Sequence, residues 1–118
     1  MTTIVHDVTS YALEYKGKTA SADDEVATIS LYGPTVNWIG SIYFYAKFQS
    51  IPDNLLDTTD DVNRIHLKMH TSELTWVVEM LRNETRQIYL RYISPTDASI
   101  YTNITWAVSK DETPQSLF

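Results

Sequence analysis

Side chains that stack on flat rings or bind anions recur at alternate positions in three segments of this chain. They are tyrosines, cations and one histidine: Tyr43, Tyr45, Lys47, Arg64, His66, Lys68, Tyr89 and Arg91. Aromatic rings stack on nucleobases and cationic groups neutralise phosphates, which is how many proteins bind single-stranded nucleic acid. If the three segments are strands of one sheet, we predict a binding face for a single strand or another extended anionic partner.

Catalysis and metal binding receive no support from the motifs. The histidines are His6, His66 and His70, and no nucleophile elbow, Walker loop, dinucleotide motif or zinc-protease motif is present. Strand residues rise about 3.3 Å each, so His66 and His70 would stand about 13 Å apart, too far to share a metal ion. Only a His70 already in a helical turn would change this. We predict a non-enzymatic protein with no metal and no cofactor.

The charge is unevenly distributed. Nine Lys and Arg against 15 Asp and Glu give a net charge of −6, which argues against a generic duplex-DNA coat of the histone type. All the arginines lie between residues 63 and 91, a segment that contains five Lys and Arg residues and three glutamates. Four aspartates lie in Ser50–Asp61 without the order of an EF-hand loop, so we predict a solvated acidic loop there.

The location is predicted from what the sequence lacks. No apolar run approaches about 18 residues, and Met1–Ser10 has neither the basic nor the apolar region of a signal peptide. The absence of cysteine excludes a disulfide framework, a thiolate zinc site and a cysteine nucleophile. We expect a cytoplasmic protein.

The dominant hydrophobic period is two residues, which is typical of strands with one dry and one wet side. Six strands are predicted: Thr3–Tyr15, Glu25–Tyr32, Val36–Phe48, Val62–His70, Gln87–Ile93 and Ser99–Ser109. The even-numbered positions of Val36–Phe48 are almost wholly apolar, and its tyrosines occupy the wetter side. Gly40 interrupts this run, so we predict a bulge or a close backbone approach there.

One helix is predicted between Thr71 and Glu84. Thr71 or Ser72 can cap its N-terminus, and Glu73 lies in the first turn. Its apolar stripe has the spacing i, i+3, i+4 and i+7: Leu74, Val77, Val78 and Leu81. The predicted order is β-β-β-β-α-β-β. Because most connections have no helix for a crossover, we predict a single α+β domain with a mainly antiparallel sheet and one packed helix.

Trp76 lies almost opposite the apolar stripe of this helix, with Met80 partway between. So large an apolar ring is uncommon on an exposed surface. We predict a homodimer through these two side chains, because Trp and Met are enriched in interfaces and because Leu117 and Phe118 would otherwise also be exposed. The alternative is that Thr113–Phe118 folds over the ring.

Two other functions stay open. A small barrel or half-barrel lined by Trp38, Phe44 and Trp106 would bind an apolar ligand. A purely structural interaction protein would use Trp76 and Met80 as its contact. The environment of the even-numbered positions around Phe44 discriminates among them, because a packed core weakens the ligand hypothesis and a cavity strengthens it.

The arrangement of the first four predicted strands and the helix resembles the Whirly and positive-cofactor-four type of single-stranded-DNA-binding regulators. The resemblance extends from Thr3 to Glu84, and the two later strands are additional. It implies a curved antiparallel sheet of four strands, association through the helices and single-stranded DNA as a partner. It lies in the arrangement alone, so it carries over no binding residue.

Overall fold

The structure, a computed structural model, describes residues 3–16 and 25–102. These residues form two β-sheets and one α-helix. Their order is β1 (Ile4–Val8), β2 (Ser10–Tyr15), β3 (Glu25–Tyr32), β4 (Trp38–Tyr45), β5 (Leu55–Asp57), β6 (Arg64–His70), α1 (Leu74–Asn83), β7 (Ile88–Ser94) and β8 (Asp97–Thr102). The predicted α+β class with mostly antiparallel strands and one helix is confirmed. The predicted strand Ser99–Ser109 lies outside the described residues beyond Thr102.

The strands divide into a five-stranded sheet, β2-β3-β4-β6-β5, and a three-stranded sheet, β1-β7-β8. The prediction of a single sheet is therefore wrong. The predicted strand Thr3–Tyr15 is interrupted at Thr9, and its first half pairs with β7 while its second half pairs with β3. The side that packs on the core changes from the even-numbered Ile4 and Val8 of β1 to the odd-numbered Tyr11 of β2, so one continuous alternation through Thr3–Tyr15 does not describe both halves.

The β4–β6 pair is parallel, and residues 46–63 form the crossover between its strands without an α-helix. The sequence predicts only a loop in Ser50–Asp61, whereas Leu55–Asp57 forms the edge strand β5, antiparallel to β6. Asn54 holds this segment in place. Its side-chain oxygen accepts a hydrogen bond from the Lys68 backbone N–H at 2.9 Å, and its side-chain amide donates to the Pro95 carbonyl at 2.9 Å.

One hydrophobic core joins the two sheets and the helix. Its fully buried members from the five-stranded sheet include Ile29, Ile42 and Phe44, and Leu90 comes from the three-stranded sheet. Val77 is the buried residue of α1. Burial of such side chains contributes about 1.5–3 kcal/mol each. Because both sheets turn one face to this shared core, their other faces point away from it.

Gly40 lies at a β-bulge and also at a close approach of two backbones, so both alternatives predicted for it are confirmed. The β3–β4 register shifts between the pairs Leu31–Gly40 and Tyr32–Trp38. A Cβ on Gly40 would collide with the carbonyl oxygen of Ile65 on β6. The extra residue, Ile39, reverses the alternation of β4. Trp38 therefore lies on the opposite side of β4 from the dry side that its even-numbered position predicts.

The predicted helix is present as α1, preceded by a 3-10 turn at Thr71–Glu73. Its apolar stripe packs on the core as predicted, with Val77 buried and the other three residues partly buried. The predicted cap by Thr71 or Ser72 is not observed, because α1 begins after Glu73 without a side-chain cap. The His70 side chain instead caps the 3-10 turn by accepting the Ser72 backbone N–H at 3.1 Å. In the part of the chain that the structure describes, no helix has the length and apolarity needed to span a membrane.

Candidate nucleic-acid interface

The parallel register of β4 and β6 places the predicted binding side chains of these two strands on one face. Ser41 pairs with His66, Tyr43 with Lys68, and Tyr45 with His70. Partners in register project on the same side of a sheet, and here that side points away from the core. We call it the aromatic–cationic face and define it by Trp38, Ser41, Tyr43, Tyr45, Arg64, His66 and Lys68.

Each of two rings on the aromatic–cationic face has a cation beside it. The Arg64 guanidinium carbon lies 4.7 Å from the centre of the Trp38 ring. The Lys68 Nζ lies 4.8 Å from the centre of the Tyr43 ring. Both distances are within the range of cation–π attraction, which contributes about 0.5–1 kcal/mol at exposed sites. The face therefore contains two ring–cation pairs on adjacent strands.

His66 lies at the centre of the aromatic–cationic face and is only 7% exposed. Its Nδ1 is 2.8 Å from the Tyr43 hydroxyl oxygen, and its Nε2 is 3.9 Å from Asp57 Oδ2. The rings of His66 and Trp38 are in a T-shaped arrangement, with 5.9 Å between their centres. Burial lowers the pKa of His66, and the Asp57 carboxylate only partly opposes this. The imidazole is therefore neutral at pH 7.

Burial also perturbs the other titratable groups of this face. It raises the pKa values of the Tyr43 and Tyr45 hydroxyls, and the nearby Glu25 carboxylate raises them further. It lowers the pKa of the Lys68 ammonium, while Glu25 acts in the opposite direction. The pKa values of both tyrosine hydroxyls therefore lie above their ordinary value of 10.0, and both side chains are neutral at pH 7.

Arg64 is held at three points. Its Nη1 donates to Asp60 Oδ1 at 2.9 Å and to Asp60 Oδ2 at 2.7 Å, and its Nε donates to the Trp38 carbonyl at 3.0 Å. The guanidinium also lies beside the Trp38 ring. The hydrogen bond from Arg64 lowers the pKa of the Asp60 carboxyl. The side chain of Arg64 is consequently oriented before any partner arrives.

Three of the eight predicted binding residues lie elsewhere. Tyr89 and Arg91 are on β7, in the three-stranded sheet, so the expectation that they share a surface with Tyr43 and Arg64 is wrong. Lys47 is exposed but lies beyond the end of β4, immediately before the 3-10 turn Phe48–Ser50. Five predicted residues thus come together: Tyr43, Tyr45, Arg64, His66 and Lys68.

Sequence reasoning missed two residues that contact Arg64. The even-numbered position of Trp38 predicts the dry side of β4, whereas the bulge beside Gly40 places it on the aromatic–cationic face. Asp60 lies in the predicted acidic loop, and a spacing of four residues indicates an ion pair only on a helix, whereas residues 60–64 form a bend and the start of β6. Spacing alone could not separate Asp60 from the three other aspartates of that loop.

The residues proposed to line an apolar cavity are not brought together. Phe44 is fully buried in the packed core, whereas Trp38 is on the aromatic–cationic face and 37% exposed. Trp106 lies outside the described residues. This arrangement weakens the apolar-ligand hypothesis, because the side that Phe44 faces is filled by protein.

Trp76 is 73% exposed on α1, whereas Met80 is partly buried against the core. The two side chains border a groove of about 640 Å³ between α1 and β8, which Ile100 and Tyr101 also line. The residues Thr113–Phe118, which were the alternative cover for Trp76, lie outside the described part of the chain. The groove makes this side of α1 an apolar surface.

Across residues 3–16 and 25–102, no three His, Cys, Asp or Glu side chains cluster closely enough to hold a metal ion. His70, the second histidine considered for a metal, stacks on Phe48 with 4.1 Å between ring centres, and its Nε2 lies 3.0 Å from the Ala46 carbonyl oxygen.

Comparison of the chain with protein-family models, curated proteins and solved structures found no match.

Proposed function

We propose that this chain is a non-enzymatic binding module whose aromatic–cationic face holds an extended anionic partner, in the first place single-stranded nucleic acid. The observation that carries the proposal is the pair of ring–cation contacts on adjacent strands, Arg64 with Trp38 and Lys68 with Tyr43. Bases would stack on the rings while the cations neutralise phosphates. The resemblance in arrangement to single-stranded-DNA-binding regulators points to the same partner and stays a prediction.

The two ring–cation pairs differ in how readily they can accept a partner. Arg64 is bound to the Asp60 carboxylate, whereas no carboxylate in the described part of the chain lies within ion-pair distance of Lys68. Lys68 can therefore turn from the Tyr43 ring to a phosphate without breaking an ion pair. We assign the first stacking position to Tyr43 and the first phosphate contact to Lys68.

Fluorescence anisotropy with a labelled oligo-dT tests this function. Binding should be measurable at low salt and should weaken as salt rises, with a slope of about −0.7 per neutralised phosphate in a log–log plot. The acidic net charge of −6 opposes a polyanion, so the low-salt measurement is the decisive one. Absence of binding at micromolar protein and low salt would rule the proposal out.

We also propose a cytoplasmic homodimer whose seam includes Trp76 and Met80. The supporting observation is the 73% exposure of the Trp76 ring at the border of an apolar groove. A tryptophan can bury about 150–250 Å², which is a sizeable part of the roughly 800 Å² per partner of a standard interface. A two-fold axis would present the ring of each copy to the groove of the other.

Light scattering of Trp76→Ala against the wild type tests the dimer. The variant should have the mass of a monomer at concentrations where the wild type is dimeric. Phe48→Ala is the matched control, since the Phe48 ring is 70% exposed on a different element and its removal should leave the mass unchanged. A dimer that persists in Trp76→Ala would exclude α1 as the seam.

A further inference from the structure

The one arginine of the aromatic–cationic face is already bound to an anion from its own chain. Both carboxylate oxygens of Asp60 accept hydrogen bonds from Arg64 Nη1, at 2.9 and 2.7 Å. The two residues are four positions apart and connect the acidic crossover with the first residue of β6. A partner's phosphate that approaches Arg64 therefore meets a carboxylate at the same guanidinium.

We propose that Asp60 is an intramolecular competitor for the phosphate position at Arg64. Its carboxylate occupies in the free protein the place that a phosphate of the extended anionic partner takes in the complex. The inference rests on the proposed function and adds to it the residue that limits affinity. Carboxylates and phosphates are exchangeable at this site because arginine recognises both through the same planar set of N–H donors.

The two sides of the contact differ in exposure, which determines which group moves. The Arg64 side chain is 16% exposed, and the Asp60 side chain is 55% exposed. Arg64 is also hydrogen-bonded through Nε to the Trp38 carbonyl and lies beside the Trp38 ring. A phosphate can displace the Asp60 carboxylate while the guanidinium stays in place, so the partner meets a cation that is already oriented.

Asp57, a second acidic residue beside the face, does not compete in the same way. Its Oδ1 accepts hydrogen bonds from the Thr59 backbone N–H at 3.0 Å and from the Thr59 hydroxyl at 2.8 Å. Its Oδ2 is 3.9 Å from His66 Nε2, and that imidazole is neutral at pH 7 for the reason given above. Asp57 is therefore not paired with a charged side chain to which a phosphate would bind in its place.

The test compares Asp60→Asn with Asp61→Asn in the oligo-dT anisotropy measurement. Each variant removes one negative charge from the same exposed turn, but only the first releases Arg64. The Val62 backbone N–H donates to Asp60 Oδ1 at 2.9 Å, and an asparagine oxygen can accept the same bond, so the turn is retained. Exposed ion pairs have small net effects, and we expect Asp60→Asn to tighten binding about twofold to fivefold beyond Asp61→Asn.

Two further variants make the test specific. In an Arg64→Gln background, Asp60→Asn and Asp61→Asn should have the same effect, because the competitor has lost its target. Asp60→Ser replaces the asparagine variant if that protein does not fold, since serine also offers a side-chain acceptor without charge.

The outcomes separate the inference from the function on which it rests. Equal tightening by Asp60→Asn and Asp61→Asn would overturn the inference and leave the binding function standing, because net charge alone would then explain the gain. A gain from Asp60→Asn that persists without Arg64 would overturn it as well. If neither the wild type nor any variant binds oligo-dT at low salt, the proposed function fails first and the inference with it.

Discussion

The outer faces of the two sheets carry similar residues in different arrangements. On the aromatic–cationic face, two rings on the five-stranded sheet each have their own cation, with Lys68 beside Tyr43 and Arg64 beside Trp38. On the three-stranded sheet, Arg91 lies 5.6 Å from the Tyr101 ring centre, and the Tyr101 and Tyr89 rings contact each other with 5.4 Å between centres. Among residues 3–16 and 25–102, the second face therefore offers one ring–cation pair and the first offers two.

The surroundings of the two cations show what this difference means. The Nη2 of Arg91 is 3.7 Å from Asp97 Oδ1, and its buried Nε has no hydrogen-bond partner among the described residues. The Nε of Arg64, in contrast, is hydrogen-bonded to the Trp38 carbonyl. Tyrosine and arginine on an exposed strand are thus insufficient evidence for a binding surface. The backbone around them determines whether the cation is oriented and whether the ring is available.

The largest expected effect is a loss of stability from substitution of Gly40, where β4 and β6, the two strands of the aromatic–cationic face, approach each other closely. Gly40→Ala should lower the free energy of unfolding by about 3 kcal/mol or more, because the new Cβ would collide with the Ile65 carbonyl oxygen and separate β4 from β6. Urea unfolding measures the loss. Gly33→Ala is the graded control, since its Cβ would meet the Asp7 carbonyl oxygen at 3.0 Å. Equal stability of Gly40→Ala and wild type would contradict the close approach of Gly40 to the Ile65 backbone.

The next effect compares one tyrosine on each face. Tyr43→Leu should weaken oligo-dT binding by about 1–3 kcal/mol, because a stacking ring is removed. Tyr101→Leu is the matched control, since it removes a ring that also has a cation beside it, and it should leave the affinity unchanged. Anisotropy measures both. If the two substitutions weakened binding equally, the assignment of the site to the five-stranded sheet would be wrong.

The smallest effect concerns pH and compares the histidines of the two sheets. Burial holds the pKa of His66 below its ordinary value of 6.5, so protons bind the unfolded chain more readily than the folded one. The free energy of unfolding should therefore fall as pH drops from about 6.5 through the folded pKa.

Urea unfolding between about pH 7 and pH 5 measures this fall. His66→Gln should remove the contribution of His66 to this fall in the free energy of unfolding. His6→Gln should retain it, because His6 lies on β1 of the three-stranded sheet, where its Nε2 is 2.7 Å from the Asn63 carbonyl oxygen. A fall that persists unchanged in His66→Gln would show that another group causes it.

Much of the local structure could be predicted because its signals are contained in a few neighbouring residues. The alternation of Val62–His70 correctly separated Ile65 and Leu67 from Arg64 and Lys68, since side chains on a strand must alternate. The predicted binding residues of β4 and β6 were placed on one side of their strands in the same way. Tyr89 and Arg91 satisfied the same pattern, and the pattern contains no information about which sheet a strand joins.

The spacing of nearby side chains predicts most of the strands, the helix and the apolar side of each, but it predicts neither strand β5 nor the side on which Trp38 lies. The three-dimensional structure establishes that β1 and β2 belong to different sheets, that β4 and β6 run parallel, and that Trp38 joins the aromatic–cationic face. Those outcomes depend on contacts between residues far apart in the chain, such as the one between Gly40 and Ile65. Strand pairing is selected by the packing of the whole core, and no single segment contains that information.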